Sequence, residues 1–407
     1  MTDQIIEENP QNITEAEMVV AIPSYREAGL IAHPTTQAAQ GLKRYFADRK
    51  YVLINCDNDS DDGTKEAFFG AETDGVPQIY LSTPPGVRGK GNNFHNLFRK
   101  VVQLKAKAVV VVDADLKSIT PQWIKHLGEP LFNDFGYVAP LYVRHKYDGT
   151  ITNSIAYPLT RALYGRRVRQ PIGGDFGFSG DLARIYLASP SWSEAVRHFG
   201  IDIWMTTLAM TNNVPICQAY MGRPKIHKPK DPGSDLGPMF SQVVGTILHL
   251  MLQSTGYWMR VKWSRPTAIF GFGLGEVEMP PPVKVNQDKL AEKFSAGFKQ
   301  QHGLWAKILS ESIMNKVDEI EHLPPEQFDF PVQLWAKVLF DYALAYRDKV
   351  VEEEELLSSL IPLYFGKTLS FVRKTERMSV QQAEEFIENE CMVFEETKPY
   401  LLERWDS

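Results

Sequence analysis

Between residues 18 and 140, short apolar runs of strand length alternate with stretches of helical pattern, and this alternation limits the fold more than any other feature. "MVVAIPSY" reads as a strand and "TTQAAQGLKRYFADR" as a helix; "YVLINCDN" is the next strand, with a helix after "DDGT". "PQIYLST" is a third strand, "GNNFHNLFRKVVQLK" a helix, "AVVVVDAD" a fourth strand, "PQWIKHLGEPL" a helix and "YVAPLYV" a fifth strand. Thr120 and Pro121 suit an N-cap and a first helical position. Strands and helices alternating at this length predict parallel βαβ units, an α/β sheet covered on both faces. Ligands of such sheets sit beyond the carboxyl ends of the strands, so chemistry is sought there.

Four of those ends carry polar groups. After the first strand comes "IPSYREAG", where Pro23 and Tyr25 can wall a flat base and Arg26 and Glu27 lead into a helix; an ordinary Pro-containing turn is the plainer reading. "CDNDSDDGT" after the second can cap the following helix, and Asp57, first beyond the apolar run, is the candidate for a base or ribose contact. In "GVRGKGNNFHNLF", Gly89, Lys90 and Gly91 precede a helix, so backbone N–H groups and an ammonium can face an anion together. The spacing matches neither a Walker A loop nor a dinucleotide fingerprint, and a Gly-rich loop is also simply a turn. Last, Val109 to Val112 read as a buried strand that delivers Asp113 and Asp115, with Ala114 between them, to its carboxyl end. A hard divalent cation wants oxygen ligands and a diphosphate supplies the rest of its shell, which two such carboxylates suit better than a solvated turn does. Together the four ends suit a nucleoside diphosphate.

The 407 residues leave room for two domains. A net charge of -6 argues against a general nucleic-acid binder. Cys56, Cys217 and Cys391 lie far apart, which suits a reducing cytoplasm and offers no disulfide framework or cysteine metal cluster. "MTDQIIEENPQNITEAE" lacks the basic and apolar regions of a secretory signal. "MFSQVVGTILHLMLQSTGYWM" is interrupted by Gln242, His249 and Gln253, and reads as a buried or amphipathic helix rather than a membrane span. These features predict a cytoplasmic protein with a flexible segment over 1–17, an α/β domain over 18–279 and a helical domain over 280–407. The break falls at the stiff "MPPPVKV". In the last domain Trp335, Leu339, Tyr342 and Tyr346 share one helix face. "LWAKIL" at 304 and "LWAKVL" at 334 read as two core helices with similar faces, not as a repeat array. Such Trp- and Tyr-rich stripes exceed what one small helical layer needs to bury, which predicts a homodimer or a cover over an acceptor.

Taken in order, "IPSYRE", "DNDSDDGT", "GKG" and "DAD" resemble the segments of a GT-A glycosyltransferase of the family-2 type. "RQPIGGDFGFSGDLA" (169–183), "FGIDIWM" (199–205) and "RPKIHKPKD" (223–231) are similar in order and character to segments of glucosyl-3-phosphoglycerate and glucosylglycerate synthases, retaining enzymes of that fold. The resemblance covers residues 18 to 245. It implies a Rossmann-like, mostly parallel sheet flanked by helices, and it implies roles. Pro23, Tyr25, Glu27 and Asp57, with Ser60 nearby, would line the nucleotide pocket. Lys90 would meet the phosphates, Asp113, Ala114 and Asp115 would bracket ribose and metal, and His227 would complete the shell of a Mg2+ or Mn2+ ion. Gly174 and Asp175 would face the donor sugar, Asp202 its hydroxyls or the acceptor, and Thr152 the acceptor's carboxylate. Arg167, in the cluster Arg161, Arg166, Arg167 and Arg169, could attract an anionic acceptor.

Each has an ordinary reading beside it. His227 stands between Lys225 and Lys228 and could be an exposed basic turn; Asp202 could be a hydrogen-bonded helix residue; Gly173, Gly174 and Gly177 serve any tight turn that Asp175 caps; arginines are usually solvated. One position departs from the family. Thr150 stands where the phosphoglycerate enzymes place an arginine, so an acceptor phosphate would need Arg144, Lys146 or Arg167 instead.

The function so implied is metal-dependent transfer of a hexose, glucose or mannose, from a UDP- or GDP-sugar. The acceptor is small and anionic, such as D-glycerate or 3-phosphoglycerate, and the resemblance favours retention. An inverting enzyme acting on another sugar would need Asp202 or Asp175 as base. A nucleotidyltransferase usually carries its Gly-rich basic loop directly after the first strand, where this chain has "PSYREAG". A non-catalytic sugar-nucleotide binder is disfavoured by the metal pair, lysine and histidine.

Overall fold

The computed structural model describes residues 5–227, 237–271 and 278–406. The described chain forms two compact units. The first holds residues 5–143, 168–227, 267–271 and 278–280, and the second holds 144–167, 237–266 and 281–406.

In the first unit the alternating pattern becomes a nine-stranded sheet. Its strands are β1 (Ile6–Glu8), β2 (Met18–Ser24), β3 (Tyr51–Asp57), β4 (Gln78–Ser82), β5 (Ala108–Val111), β6 (Tyr137–Leu141), β7 (Phe176–Ser179), β8 (Ile216–Tyr220) and β9 (Ala268–Phe270). They lie in the order β1-β4-β3-β2-β5-β7-β6-β8-β9. Parallel pairing joins β2 to β3 and β5, β3 to β4, and β8 to β6 and β9. This is the mostly parallel α/β architecture expected, with helices α1 (Ala32–Tyr45), α2 (Thr64–Phe69), α3 (Lys90–Gln103) and α4 (Pro121–Gly128) between the early strands.

Alternation along each strand divides the core between the two faces. Val20, Ile22, Val110 and Val112 pack with Ala38, Ala39 and Leu42 of α1 and with Trp123, Ile124 and Leu127 of α4. On α3, Phe94 meets Phe176 at 5.7 Å and Phe98 meets Phe178 at 5.5 Å between ring centroids. Full burial of each valine is worth about 1.5–3 kcal/mol, enough to hold the strand ends in register.

Three features differ from the sequence reading. The fifth predicted strand, β6, is not the neighbour of β5. Instead β7, from the segment read as a turn, lies antiparallel between them, with Val110 opposite Gly177. Gly177 is what allows this: a Cβ there would sit 2.3 Å from the Leu127 carbonyl oxygen. The segment read as flexible contributes an edge strand, Ile6 pairing with Ser82 and Glu8 with Tyr80. Thr120 takes the extended N-cap conformation with Pro121 in the first turn, but its side chain makes no capping bond.

The second unit is helical, and it is not the contiguous C-terminal stretch that composition suggested. Segments 144–167 and 237–266 belong to it, and they pair with aromatic groups of the C-terminal helices. The Trp335 indole donates to the Ser154 carbonyl at 2.7 Å, and Phe240 packs on Tyr364 with centroids 5.1 Å apart. Trp305, Trp335 and Tyr342 are buried, so the stripes that suggested a dimer or cover are absorbed inside this unit. No described helix is long and apolar enough to cross a membrane, and all three cysteines are buried free thiols.

Lys398 is also buried here, and its ammonium donates to the carbonyls of Ala162, Trp258 and Val261 at 3.0, 2.6 and 2.6 Å. Burial lowers its pKa from 10.5 to about 8, with Glu395 pulling weakly the other way. Between those values the unfolded chain carries a proton that the folded chain has lost, so stability rises with pH through that window and falls as pH drops through about 8. Urea unfolding from pH 7 to 11 should show wild type gaining on Lys398→Met across that window. A pH-independent difference between the two would refute the assignment.

Candidate functional site

The carboxyl ends of β2 and β3 are tied together by Asp57. Its carboxylate accepts from Ser24 Oγ at 2.6 Å, Ser60 Oγ at 2.8 Å, Ser60 N–H at 2.7 Å and Tyr80 Oη at 3.0 Å, and the residue has no exposed surface. Asp57, expected near a base or ribose, thus accepts four hydrogen bonds on its two oxygens, and these hold the loops after β2 and β3 in place. Beside it, Pro23 is buried in β2, while Tyr25 and Glu27 are half-buried. The Tyr25 ring carries the Arg88 guanidinium at 4.9 Å and that of Arg26 at 5.5 Å. The Glu27 N–H donates to Thr64 Oγ1 at 2.9 Å. Of the base-side residues, Tyr25 and Glu27 keep surface for a ligand.

Lys90 is the first residue of α3, and its Nζ lies 3.0 Å from Asp202 Oδ2 and 3.5 Å from Asp113 Oδ1. Burial would lower this ammonium, but Asp202 and then Asp113 outweigh it and hold it above the usual lysine range. The flanking glycines serve packing. The Gly91 N–H donates to the His198 carbonyl at 3.2 Å, and a Cβ on Gly91 would sit 1.9 Å from the Val196 carbonyl oxygen. The loop therefore presents a charged side chain, while the Gly91 N–H expected to face an anion is engaged. Asp202 lies in the first turn of the helix Ile201–Thr211; its Oδ1 is buried and has no hydrogen-bond partner among the described residues.

Strand β5 ends where the Asp113 N–H, instead of continuing the ladder, donates to Asp175 Oδ1 at 2.9 Å. Asp175 is fully buried, and its Oδ2 lies 2.7 Å from Lys225 Nζ and 3.4 Å from Tyr142 Oη. Burial pushes the Asp175 carboxyl up to about 6, although Lys225 pulls it down, with Asp113 adding to the rise. Asp175, expected to face the donor sugar or act as a base, thus positions the strand end through Asp113, Lys225 and Tyr142. Gly174, at φ +82°, leaves room for the approach, since a Cβ there would lie 2.5 Å from Asp113 Oδ2.

The residue missed in the sequence is Lys225. Its Nζ lies 2.7 Å from each of Asp113 Oδ2, Asp175 Oδ2 and the Gly173 carbonyl, and only 4% of its side chain is exposed. Burial would lower its pKa, yet Asp113 and Asp175 hold it well above the usual range. The only signal in the sequence is a lysine in a basic segment, which an exposed turn would share.

Asp113 and Asp115 are half-buried, and Ala114 between them is buried. Among the described residues no group of three or more His, Cys, Asp or Glu side chains could hold a metal; His227 is the residue expected beside the two aspartates. Its neighbour Ile226 is fixed beside them, donating N–H to Ser118 Oγ at 2.9 Å and accepting at O from the Lys117 N–H at 2.8 Å. Hard carboxylates such as these suit Mg2+ or Mn2+ that arrives with phosphate oxygens, the usual mode for Mg2+.

Thr152, Arg167, Arg144, Lys146 and Thr150 all belong to the second unit. Thr152 is buried and begins a π-helical turn, Thr152–Ala156. Arg161 is buried among Glu388, Glu395 and Ser264, and the Arg167 Nε donates to Ser264 Oγ at 3.0 Å. Thr150 bonds Tyr364, and Lys146 donates to the carbonyls of Thr375, Glu376 and Met378. Of the three cations suggested for an acceptor phosphate, Lys146 is thus consumed by backbone. Arg144 pairs with Asp148 at 2.9 Å.

No family model matches the sequence, and no curated protein matches it. Among solved structures, the chain is similar to glucosyl-3-phosphoglycerate synthase from Mycobacterium tuberculosis in complex with Mn2+, uridine diphosphate and glucosyl-3-phosphoglycerate. The identity is 21%, over 58% of this chain and 80% of that one, with a TM-score of 0.44. The same synthase with Mn2+, uridine-diphosphate-glucose and glycerol 3-phosphate matches at 20% identity over 67% and 88% of the two chains, TM-score 0.44. A mycobacterial protein matches at 21% identity over 58% and 74%, TM-score 0.45.

Proposed function

We propose that this chain transfers a hexose from a nucleoside-diphosphate sugar to a small, anionic acceptor, with a divalent ion bound alongside the diphosphate. The observation that carries the reading is the convergence of Lys90 on Asp113 and Asp202 at the carboxyl edge of a mostly parallel sheet. A diphosphate brought to that edge meets the Lys90 ammonium, and Tyr25 with Arg88 offers a stacked face for the base. Asp113 and Asp115 would hold the ion, which when bound would supply positive charge to the leaving diphosphate.

In the reaction the bond from sugar C1 to the diphosphate oxygen breaks and a bond from C1 to the acceptor oxygen forms. Lys90 stabilises the charge that develops on the leaving group. Asp202 Oδ1 is a buried acceptor lacking a donor, and leaving such a group unsatisfied costs about 1–3 kcal/mol, so it suits a sugar hydroxyl. Of the two carboxylates considered as bases, Asp175 is fully buried and Asp202 is held by Lys90. That supports retention, with the departing diphosphate oxygen taking the acceptor's proton. D-glycerate and 3-phosphoglycerate are the acceptors this reading favours, the free acid gaining from the threonine at 150.

Incubation of the full chain and Mn2+ with UDP- and GDP-glucose and -mannose against glycerate, 3-phosphoglycerate and simple sugars, read by mass and anomeric NMR, tests this. Transfer to a glycerate with α-configuration is expected. Neither transfer nor donor hydrolysis with any pair would overturn the assignment.

A further inference from the structure

Asp113 has an ammonium on each oxygen: Lys90 at 3.5 Å from Oδ1 and Lys225 at 2.7 Å from Oδ2. An ammonium has three donors, and those of Lys225 have three acceptors at 2.7 Å, on Asp113, Asp175 and Gly173. A divalent ion approaching Asp113 by itself meets a carboxylate already neutralised, and it is repelled by two cations at close range. A nucleoside diphosphate changes this balance, because its negative oxygens attract Lys90 and the ion together. Lys225 can release Asp113 and stay bound to Asp175 and Gly173, so the exchange needs little movement.

We propose that Lys225 is a built-in cation that occupies Asp113 until the ion arrives with the nucleotide, so that it makes divalent-ion binding conditional on the donor. Lys225 is a positioning residue, acting through Asp113. The inference rests on the sugar-nucleotide reading above and goes beyond it by assigning the order in which the charges assemble. Its energetic basis is coupling: whatever factor the nucleotide adds to ion affinity, the ion adds to nucleotide affinity.

The test is Mn2+ binding to the full chain, followed by the EPR signal of free Mn2+, without nucleotide and with saturating UDP or GDP. Wild type should bind Mn2+ at least about tenfold more tightly with nucleotide than without. Lys225→Met alone strands the buried Asp175, so the informative variant is Lys225→Met with Asp175→Asn, which removes both charges together. It should bind Mn2+ without nucleotide at least about tenfold more tightly than wild type, and the effect of nucleotide should shrink accordingly. Asp175→Asn by itself, which leaves Asp113 as the carboxylate paired with Lys225, should weaken Mn2+ binding in the absence of nucleotide. Nucleotide binding with unchanged Mn2+ affinity in these variants overturns the role of Lys225 only. Failure of wild type to bind either nucleotide, with or without Mn2+, overturns the sugar-nucleotide reading and this inference with it.

Discussion

Asp113→Ala is expected to cut hexosyl transfer by about a hundred- to a thousandfold, the usual cost of removing one group that stabilises transition-state charge. The side chain sits at the end of β5 with Lys90 at one oxygen and Lys225 at the other, and so holds both lysines at once. Removing it also takes an oxygen ligand from the ion. Asp113→Asn separates these effects, because the amide keeps the shape of the strand end and loses the charge. It should lose nearly as much transfer as the alanine while its thermal unfolding stays close to wild type. Asp115→Ala should follow the same pattern. Transfer or donor hydrolysis that survives both alanine variants would place the chemistry elsewhere.

Arg161→Met should destabilise the chain by about 3–5 kcal/mol, the range for stranding one member of a buried ion pair. Arg161 has 1% of its side chain exposed and pairs with Glu395, 6% exposed, and with Glu388, which is partly solvated. Once the guanidinium is gone, the Glu395 carboxylate keeps, among the described residues, the Ser264 hydroxyl at 2.7 Å and the Ser264 N–H at 3.5 Å. Replacing both, as Arg161→Met with Glu395→Gln, should restore most of the loss because no unpaired buried charge remains. Urea unfolding measures the difference, and a single variant within about 1 kcal/mol of wild type would show that the pair is not buried in solution. The result also bears on the arginine cluster read as a lure for an anionic acceptor: Arg161 is structural, and only Arg166, Arg167 and Arg169 remain for that task.

The sequence by itself determined the local part of this protein. Apolar runs of strand length placed β2, β3, β4 and β5, and the residues just past them named Lys90, Asp113 and Asp115, because periodicity and strand ends are read within a few neighbours. Partnership was not readable in that way. Asp57 reads as a ligand contact by its position after an apolar run, whereas the convergence of Ser24, Ser60 and Tyr80 on it is a tertiary fact. The burial of Asp175 and its pairing with Lys225 are tertiary facts of the same kind. Lys225 lies 112 residues from Asp113 in sequence, and its charge could be assigned a role only once β7 had entered the sheet antiparallel beside β5. Segments 144–167 and 237–266 went to the helical unit for the same reason, since Ser154 and Phe240 are needed by Trp335 and Tyr364 far along the chain. Which groups stand at the edge of the sheet follows from short-range pattern; which of them are free to act follows from burial and charge pairing, and those belong to contacts between residues that sequence keeps apart.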